Sequence, residues 1–340
     1  MKKLFLKLCL CLIPVFLYLG LSYYIDVFNV FHYRNIRITE AAKNDNYIKT
    51  RYVIENPTRF NAFILGSSRV GNLPPDGLLQ ELDDVSLSWY NMTYPMGCPR
   101  DNLETVKTFL ASGVDVKMVI VGIDEISMYN TYSSNSGEMI EKQYQEYAKN
   151  PARFFYDYLL VRPQMSVFKD VLTQDDEDRD NVRLFYEYGV EKRNLSIEEP
   201  TEERKMESSL GCGAFNGDEE FEGICALRDL ASLCEQNGIE LRVFTSPILQ
   251  TTYTEAVSKG YFDFLRAVSR EIEYYNFSGL NKYTTDMKYY FDASHYKPYI
   301  GMIIEDSIFS DEKKEYHEFG GYITNENIDS LLMYLEDQMK

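Results

Sequence analysis

Three polar residues of this sequence have the types and spacing needed for nucleophilic catalysis. Ser68 lies in Gly66-Ser67-Ser68-Arg69, a tight polar turn directly after the apolar stretch at 60–65. A serine hydroxyl is a weak nucleophile until a base takes its proton, and the base needs an acid that orients it. Asp292 and His295 are three residues apart, so a carboxylate and an imidazole can meet on one turn. The pattern predicts Ser68 as nucleophile, His295 as base and Asp292 as acid; each alone also fits an ordinary hydrogen-bonded loop residue.

Histidine is scarce in this chain, which limits where imidazole chemistry can occur. Besides His295 there are two histidines: His32 lies next to the N-terminal apolar segment, and His317 lies in a charged tail. His295 is therefore the predicted base. So few histidines and the lack of a Cys-x-x-Cys pair do not indicate a metal site, and no metal or other cofactor is expected.

Buried strands that alternate with helices must position these residues. Four short apolar runs are typical of buried strands: 60–65, 86–92, 118–122 and 239–244. Four segments have helical patterns: 102–111 behind a possible Asp101 cap, 218–238, 254–271 and 325–339. This alternation predicts an α/β fold of three layers, α/β/α, with a mainly parallel central sheet. Such sheets bind ligands at the carboxyl ends of their strands, where Ser68 is expected to lie.

The charge balance excludes one large class of partners. Of 340 residues, 35 are Lys or Arg and 53 are Asp or Glu, which gives a formal net charge of −18 at pH 7. Affinity for a phosphate backbone comes mostly from Lys and Arg, so nucleic acid is not an expected partner. The hydrophobic fraction of 45% is enough for the core of one large domain or two small ones.

The first 30 residues predict a membrane anchor. Residues 8–25 are uncharged and long enough to cross a hydrocarbon core, and three lysines precede them. A cleaved signal peptide is the alternative, but the run is long for one and no convincing cleavage site follows it. The basic flank predicts a cytoplasmic N-terminus, a single-pass anchor over 1–30 and an extracytoplasmic domain over 31–340 in the cell membrane. The sequence does not determine any disulfide pairing in that domain.

Residues 126–215 interrupt the alternation of strands and helices, and they predict a partly helical insertion. The segment is rich in tyrosine and charge, with charged runs at 174–180 and 198–209. Charge runs usually form a solvated surface, which is the favoured interpretation. A lid or a partner-docking element over the active site is the alternative.

The two predicted catalytic segments resemble those of the SGNH (GDSL-like) hydrolase superfamily. In that family the nucleophile serine follows the first strand in a Gly-Asp-Ser block, which reads Gly66-Ser67-Ser68 here. A D-x-x-H block near the C-terminus, here 292–295, supplies the acid and the base. The resemblance is closest to the membrane-anchored, exported branch, such as the accessory proteins of teichoic-acid D-alanylation and of alginate O-acetylation. It covers about 58–125 and 238–310 and implies an SGNH-like fold.

The other two blocks of that family supply donors to the oxyanion, and they match less well. The resemblance implies Gly97 as a backbone donor, with an ordinary turn glycine as the alternative. The third block, normally Gly-x-Asn-Asp, reads Gly122-Ile123-Asp124-Glu125. An ionised Asp124 only accepts hydrogen bonds and would repel an oxyanion, so it points elsewhere, is held protonated, or slows turnover. Arg69 is expected to offset the charge; a surface residue or an ion pair with Asp124 is the alternative.

Two functions follow as expectations. The first is a serine esterase or O-acyltransferase outside the membrane, with water or a hydroxyl as the acyl acceptor. The resemblance implies an acylated cell-envelope glycan as substrate and a membrane-bound O-acyltransferase as partner. The second is an SGNH-like glycan-binding or scaffold protein of an envelope-modification complex that is catalytically weak or inactive. Asp124 favours the second function, and the complete set of Ser68, Asp292 and His295 favours the first.

Overall fold

Six short strands form one sheet in the computed structural model, which describes residues 2–34, 43–74, 87–162, 165–173 and 176–340. They are β1 (Ala62–Leu65), β2 (Trp89–Asn91), β3 (Met118–Ile123), β4 (Glu240–Thr245), β5 (Tyr274–Asn276) and β6 (Gly321–Ile323). The strand order is β2-β1-β3-β4-β5-β6, and every pair is parallel except β5 with β6. The predicted α/β class with a mainly parallel sheet is confirmed.

Helices lie between the strands and also occur in the insertion. In chain order they are α1 (Lys2–Ile25), α2 (Asp45–Glu55), α3 (Pro99–Ala111), α4 (Tyr132–Gly137), α5 (Tyr144–Lys149), α6 (Pro151–Leu159), α7 (Met165–Thr173), α8 (Asp176–Tyr188), α9 (Glu222–Asn237), α10 (Gln250–Ser258), α11 (Tyr261–Glu271), α12 (Pro298–Phe309) and α13 (Ile328–Gln338). Short 3-10 turns lie at Ser68–Val70, Ile126–Met128, Lys192–Leu195 and Met287–Tyr289.

Each of the four predicted strands overlaps one of β1 to β4, and three of the four predicted helices correspond to single helices, α3, α9 and α13. Residue 86 of the predicted run 86–92 lies outside the described residues. The helix predicted over 254–271 is wrong as one element, because α10 and α11 are separated at Gly260. Gly260 has a φ of +98°, and a Cβ there would lie 2.6 Å from the carbonyl oxygen of Phe215. This close approach of another segment overrides the local helical pattern.

Apolar side chains of the central strands point alternately into two hydrophobic clusters on the two faces of the sheet. On β1, Phe63 and Leu65 belong to one cluster, and Ala62 and Ile64 belong to the other. Helices α3, α9, α11 and α13 contribute to the first cluster, and α12 contributes to the second. Both faces are covered, as expected for a parallel sheet.

The predicted anchor corresponds to α1, which contains Pro14. Among the described residues, no helix combines the length and the apolar character that a membrane span requires. Several apolar side chains of α1 are exposed, among them Leu17 at 68% and Phe16 at 66%.

The predicted insertion at 126–215 contains α4 to α8, followed by a stretch at 196–218 with neither helix nor strand. Residues 163, 164, 174 and 175 of the insertion lie outside the described residues. The helical part packs on α2 through an aromatic cluster that includes Tyr47, Phe154 and Tyr158. The irregular part reaches the segment before the predicted base, where the Tyr289 hydroxyl donates to Glu199 Oε1 at 3.0 Å.

Candidate active site

Ser68 lies at the carboxyl end of β1, where the chain connections on the two sides of the strand diverge. β1 pairs with β2 on one side and with β3 on the other, and such switch points form ligand crevices in open α/β sheets. Gly66 directly follows β1 with a φ of +145°, and a Cβ there would lie 2.8 Å from the carbonyl oxygen of Gly122. Ser67 Oγ then accepts the N–H of Arg69 at 3.2 Å and caps the short turn that presents Ser68.

Ser68, His295 and Asp292 lie within hydrogen-bonding distance of one another. Ser68 Oγ is 3.0 Å from His295 Nε2. His295 Nδ1 is 2.9 Å from each carboxylate oxygen of Asp292. Because Nδ1 faces the carboxylate, it carries the ring proton, and Nε2 accepts the proton of Ser68. The structure therefore brings the predicted nucleophile, base and acid together in the order that acyl transfer needs.

The environment of Asp292 keeps its carboxyl group ionised. Burial would raise the pKa of this group, but the His295 ring and the N–H groups of Ser294 and His295 outweigh it and lower the pKa to about 2. The two N–H groups donate to Asp292 Oδ1 at 2.8 and 3.0 Å. The His295 and Asp292 side chains are 31% and 47% exposed, so a substrate can reach the base from solvent.

Asp124 is buried and supports the turn that carries the nucleophile. Its Oδ1 accepts the N–H groups of Ile126 at 2.9 Å and Ser127 at 3.2 Å. Its Oδ2 accepts the hydroxyl of Ser67, so the carboxylate joins the end of β3 to the residue before Ser68. Among the options that the sequence left open, this geometry favours a side chain that points elsewhere.

Arg69 is buried rather than on the surface, and its partner is Glu125 rather than Asp124. Arg69 Nη2 is 2.5 Å from Glu125 Oε1, and the two side chains are 8% and 0% exposed. The same nitrogen donates to Ser294 Oγ at 3.3 Å, so the guanidinium bridges the two catalytic segments. Burial raises the pKa of Glu125 to about 7; Arg69 opposes this shift and Asp124 adds to it.

Gly97 lies beside the nucleophile turn, but its N–H is already bonded. A Cβ at Gly97 would lie 2.5 Å from the carbonyl oxygen of Gly66, so the close packing requires glycine here. Its N–H donates to the carbonyl oxygen of Tyr94 at 3.2 Å. This amide would have to leave Tyr94 before it could bind an oxyanion.

Sequence reasoning missed the roles of Glu125 and Ser294, although both lie inside the motifs that it singled out. Glu125 follows Asp124, and its charge is opposite to that of Arg69. Among the described residues, no group of three or more His, Cys, Asp or Glu side chains is arranged to hold a metal ion. Cys98, Cys212, Cys225 and Cys234 form no disulfide within the described part of the chain.

Comparisons with known proteins do not identify a family for this chain. The sequence matches no protein-family model, and the curated proteins contain no significant match to it. The resemblance to the SGNH superfamily therefore rests on the residues around Ser68 and on the segment from Asp292 to His295.

Proposed function

We propose that the chain is a serine-dependent esterase or O-acyltransferase that acts on acyl groups of cell-envelope glycans. The observation that carries the proposal is the relay from Ser68 Oγ to His295 Nε2 and from His295 Nδ1 to Asp292. A hydroxyl, an imidazole and a carboxylate in this order activate serine for attack on an ester. The glycan class is supported by the resemblance to the exported SGNH branch.

In the proposed reaction, Ser68 Oγ attacks the carbonyl carbon of an ester while His295 Nε2 takes the serine proton. The tetrahedral intermediate collapses, the leaving alcohol receives that proton from His295, and an acyl ester stays on Ser68. Water or a glycan hydroxyl then attacks this ester while His295 takes the proton of the acceptor. The bond to Ser68 Oγ breaks as His295 returns that proton to Ser68, and the acyl group leaves with the acceptor. Asp292 keeps Nδ1 protonated and stabilises the imidazolium in both halves of the reaction.

The developing oxyanion needs hydrogen-bond donors, and few are free in this site. The N–H of Ser68, at the start of the 3-10 turn, is the first candidate. The guanidinium of Arg69 is the second, but its Nη2 already bonds to Glu125 and Ser294. Asp124 and the amide of Gly97 are both engaged in other hydrogen bonds. One missing donor costs about 3 to 4 kcal/mol in comparable sites, so we expect slow turnover that is fastest with activated esters.

Covalent labelling of the full chain with a fluorophosphonate serine probe tests the proposal. We expect the wild type to be labelled at Ser68, Ser68→Ala to be unlabelled, and His295→Ala to react at least about 1,000-fold more slowly. Ser258→Ala changes an exposed serine on α10 and should be labelled like the wild type. A folded wild type that the probe does not label would contradict the proposed enzymatic activity.

A glycan-binding or scaffold protein without turnover is the second candidate function. It is favoured by one observation, that the amide of Gly97 and the carboxylate of Asp124 are both occupied. Under this function, Ser68→Ala would bind acylated glycan as tightly as the wild type does, and neither protein would release the acyl group.

We further propose that α1 anchors the domain to the cell membrane, with a cytoplasmic N-terminus and the domain outside, beside a membrane-bound O-acyltransferase. The proposal is supported by the uncharged run at 8–25 and by the exposed apolar side chains of α1, since an exposed apolar surface of this kind requires lipid or protein to cover it. The full chain should stay in the membrane pellet after alkaline carbonate extraction, and recovery in the supernatant would contradict the anchor.

A further inference from the structure

A charged segment of the insertion contacts the loop that carries Asp292 and His295. We call residues 199–209 the strap; they form neither helix nor strand. The charge pattern alone favours a solvated surface here. In the structure, Arg204 and Glu207 are only partly exposed, whereas their neighbours Glu203 and Lys205 are exposed.

Arg204 and Glu207 bind three backbone groups that flank the catalytic carboxylate. Arg204 Nη1 donates to the carbonyl oxygen of Phe291 at 2.7 Å and to that of Tyr290. Glu207 Oε2 accepts the N–H of Ala293 at 3.1 Å. The backbone on both sides of the acid is therefore bonded to the strap.

The two strap side chains also pair with each other. Arg204 Nη2 is 3.1 Å from Glu207 Oε1, and the side chains are 30% and 43% exposed. An ion pair with this exposure adds little stability by itself. It fixes the two side chains relative to each other, because the planar guanidinium offers Nη1 to the carbonyls and Nη2 to the carboxylate.

Other contacts of the loop act at different atoms. The N–H of Phe291 donates to the carbonyl oxygen of His295 at 2.8 Å, which closes the loop on itself. Thr252 Oγ1 donates to the carbonyl oxygen of Ala293 at 3.1 Å. The strap supplies the partners of the two carbonyls before Asp292 and of the amide after it, so removing it frees the backbone next to the acid.

We propose that Arg204 and Glu207 are positioning residues that hold the Asp292–His295 loop in register with Ser68, and that this is the role of the charged part of the insertion. The inference rests on the proposed function. A displacement of about 1 Å in a reacting group can cost about 100-fold in rate, so a clamp on the backbone of the acid controls the rate without touching substrate.

The experiment measures probe labelling of the full chain as a function of probe concentration and pH. Arg204→Ala and Glu207→Ala should lower the maximal labelling rate by about 10-fold to 100-fold and leave the half-saturating probe concentration unchanged. Arg204→Lys should restore little, since one ammonium cannot replace the guanidinium fork. Glu207→Gln should restore part, because its amide oxygen can still accept the Ala293 N–H. The double alanine variant should be no slower than the worse single variant.

Matched controls lie on the same strap. Lys205→Ala and Glu203→Ala remove exposed charges of the same sign as Arg204 and Glu207 and should label like the wild type. The pH midpoint of the labelling rate should move in Arg204→Ala and stay constant in Lys205→Ala, which a purely structural role would not produce. If the wild type is active, two results for Arg204→Ala would overturn the positioning role alone: a labelling rate equal to that of the wild type, or a lower melting temperature with an unchanged labelling rate for the folded fraction. An unlabelled wild type would instead reject the proposed function.

Discussion

Two arginine–glutamate pairs flank the relay of Ser68, His295 and Asp292, and they differ in burial. The pair of Arg69 and Glu125 on the nucleophile side is almost fully enclosed, while the pair of Arg204 and Glu207 on the acid side is partly open to solvent. The first pair is built from the ends of neighbouring strands. The second reaches its loop from the strap, 86 residues earlier in the chain.

This difference in burial separates what the two pairs contribute. Burial of an ion pair carries a large desolvation cost. The free energy of unfolding therefore changes when one partner of a buried pair gains or loses a proton. A partly exposed pair is worth little in free energy, so its value lies in the geometry that it imposes. We therefore expect substitutions of the residues that support the Ser68 turn to alter stability, and substitutions of Asp292 and of the strap that holds its loop to alter the reaction rate.

The largest expected effect belongs to the acid side. In Asp292→Asn, the side chain keeps an acceptor for the N–H groups of Ser294 and His295, but its amide can donate to Nδ1 and so favours the wrong tautomer of the ring. We expect the labelling rate to fall by about 10,000-fold, as in comparable triads, with little change in melting temperature. Labelling kinetics and calorimetry of the same preparation measure both.

Asp286→Asn is the matched control for this substitution, because Asp286 caps the 3-10 turn in the same region without facing His295. It should leave the rate unchanged. A loss of fold in Asp292→Asn, rather than a loss of rate, would remove the distinction between the two sides.

The next effect lies on the nucleophile side, at Asp124. The family pattern alone would expect Asp124→Asn to accelerate the reaction by restoring an oxyanion donor. The structure predicts no acceleration, because this carboxylate binds Ser67 and the turn that begins at Ile126. Loss of these charge-assisted bonds should destabilise the fold by about 1 to 3 kcal/mol, measured by urea unfolding.

Asp218→Asn provides the comparison, since Asp218 is exposed and accepts a single backbone N–H, that of Glu220, at 3.0 Å. Asp218→Asn should lower the free energy of unfolding by much less than Asp124→Asn does. A clear gain in labelling rate for Asp124→Asn would mean that this side chain faces the oxyanion after all.

The two sides also differ in how far the sequence could predict them. Two parts of the site could be predicted, because both follow from local sequence patterns. An apolar run that ends in Gly-Ser-Ser places Ser68 at a strand end, and the three-residue spacing joins Asp292 to His295. Arg69 was singled out, but its partner Glu125 was not, since the choice between adjacent carboxylates depends on side-chain direction at the end of β3.

The contacts of the strap could not be predicted from local sequence patterns. A charge run has no periodicity, so nothing in it distinguishes Arg204 from its exposed neighbour Lys205; the distinction comes from a contact distant in sequence. The same cause split the helix predicted over 254–271, where Gly260 lies against the backbone of Phe215. The three-residue strands β5 and β6 lie outside the four apolar runs that predict strands, whereas the equally short β2 lies inside one of them, 86–92.

The smallest expected effect tests the buried pair by pH. Burial raises the pKa of Glu125 to about 7, so the folded chain holds this proton more tightly than the unfolded chain, in which an ordinary glutamate titrates near pH 4.5. Stability should therefore fall as the pH rises from about 4.5 to about 7 and change no further through this group above that range, by at most about 3 kcal/mol.

Glu125→Gln removes the titration and should flatten the dependence of the unfolding free energy on pH in this window. Glu104→Gln, which breaks a more exposed pair with Arg100, should leave that slope intact. Urea unfolding at pH 5 and pH 7.5 measures the slope in all three proteins. An equal slope in the wild type and in Glu125→Gln would mean that Glu125 stays ionised beside Arg69 across the window, and the nucleophile side would then lose the pH sensitivity that distinguishes it from the strap.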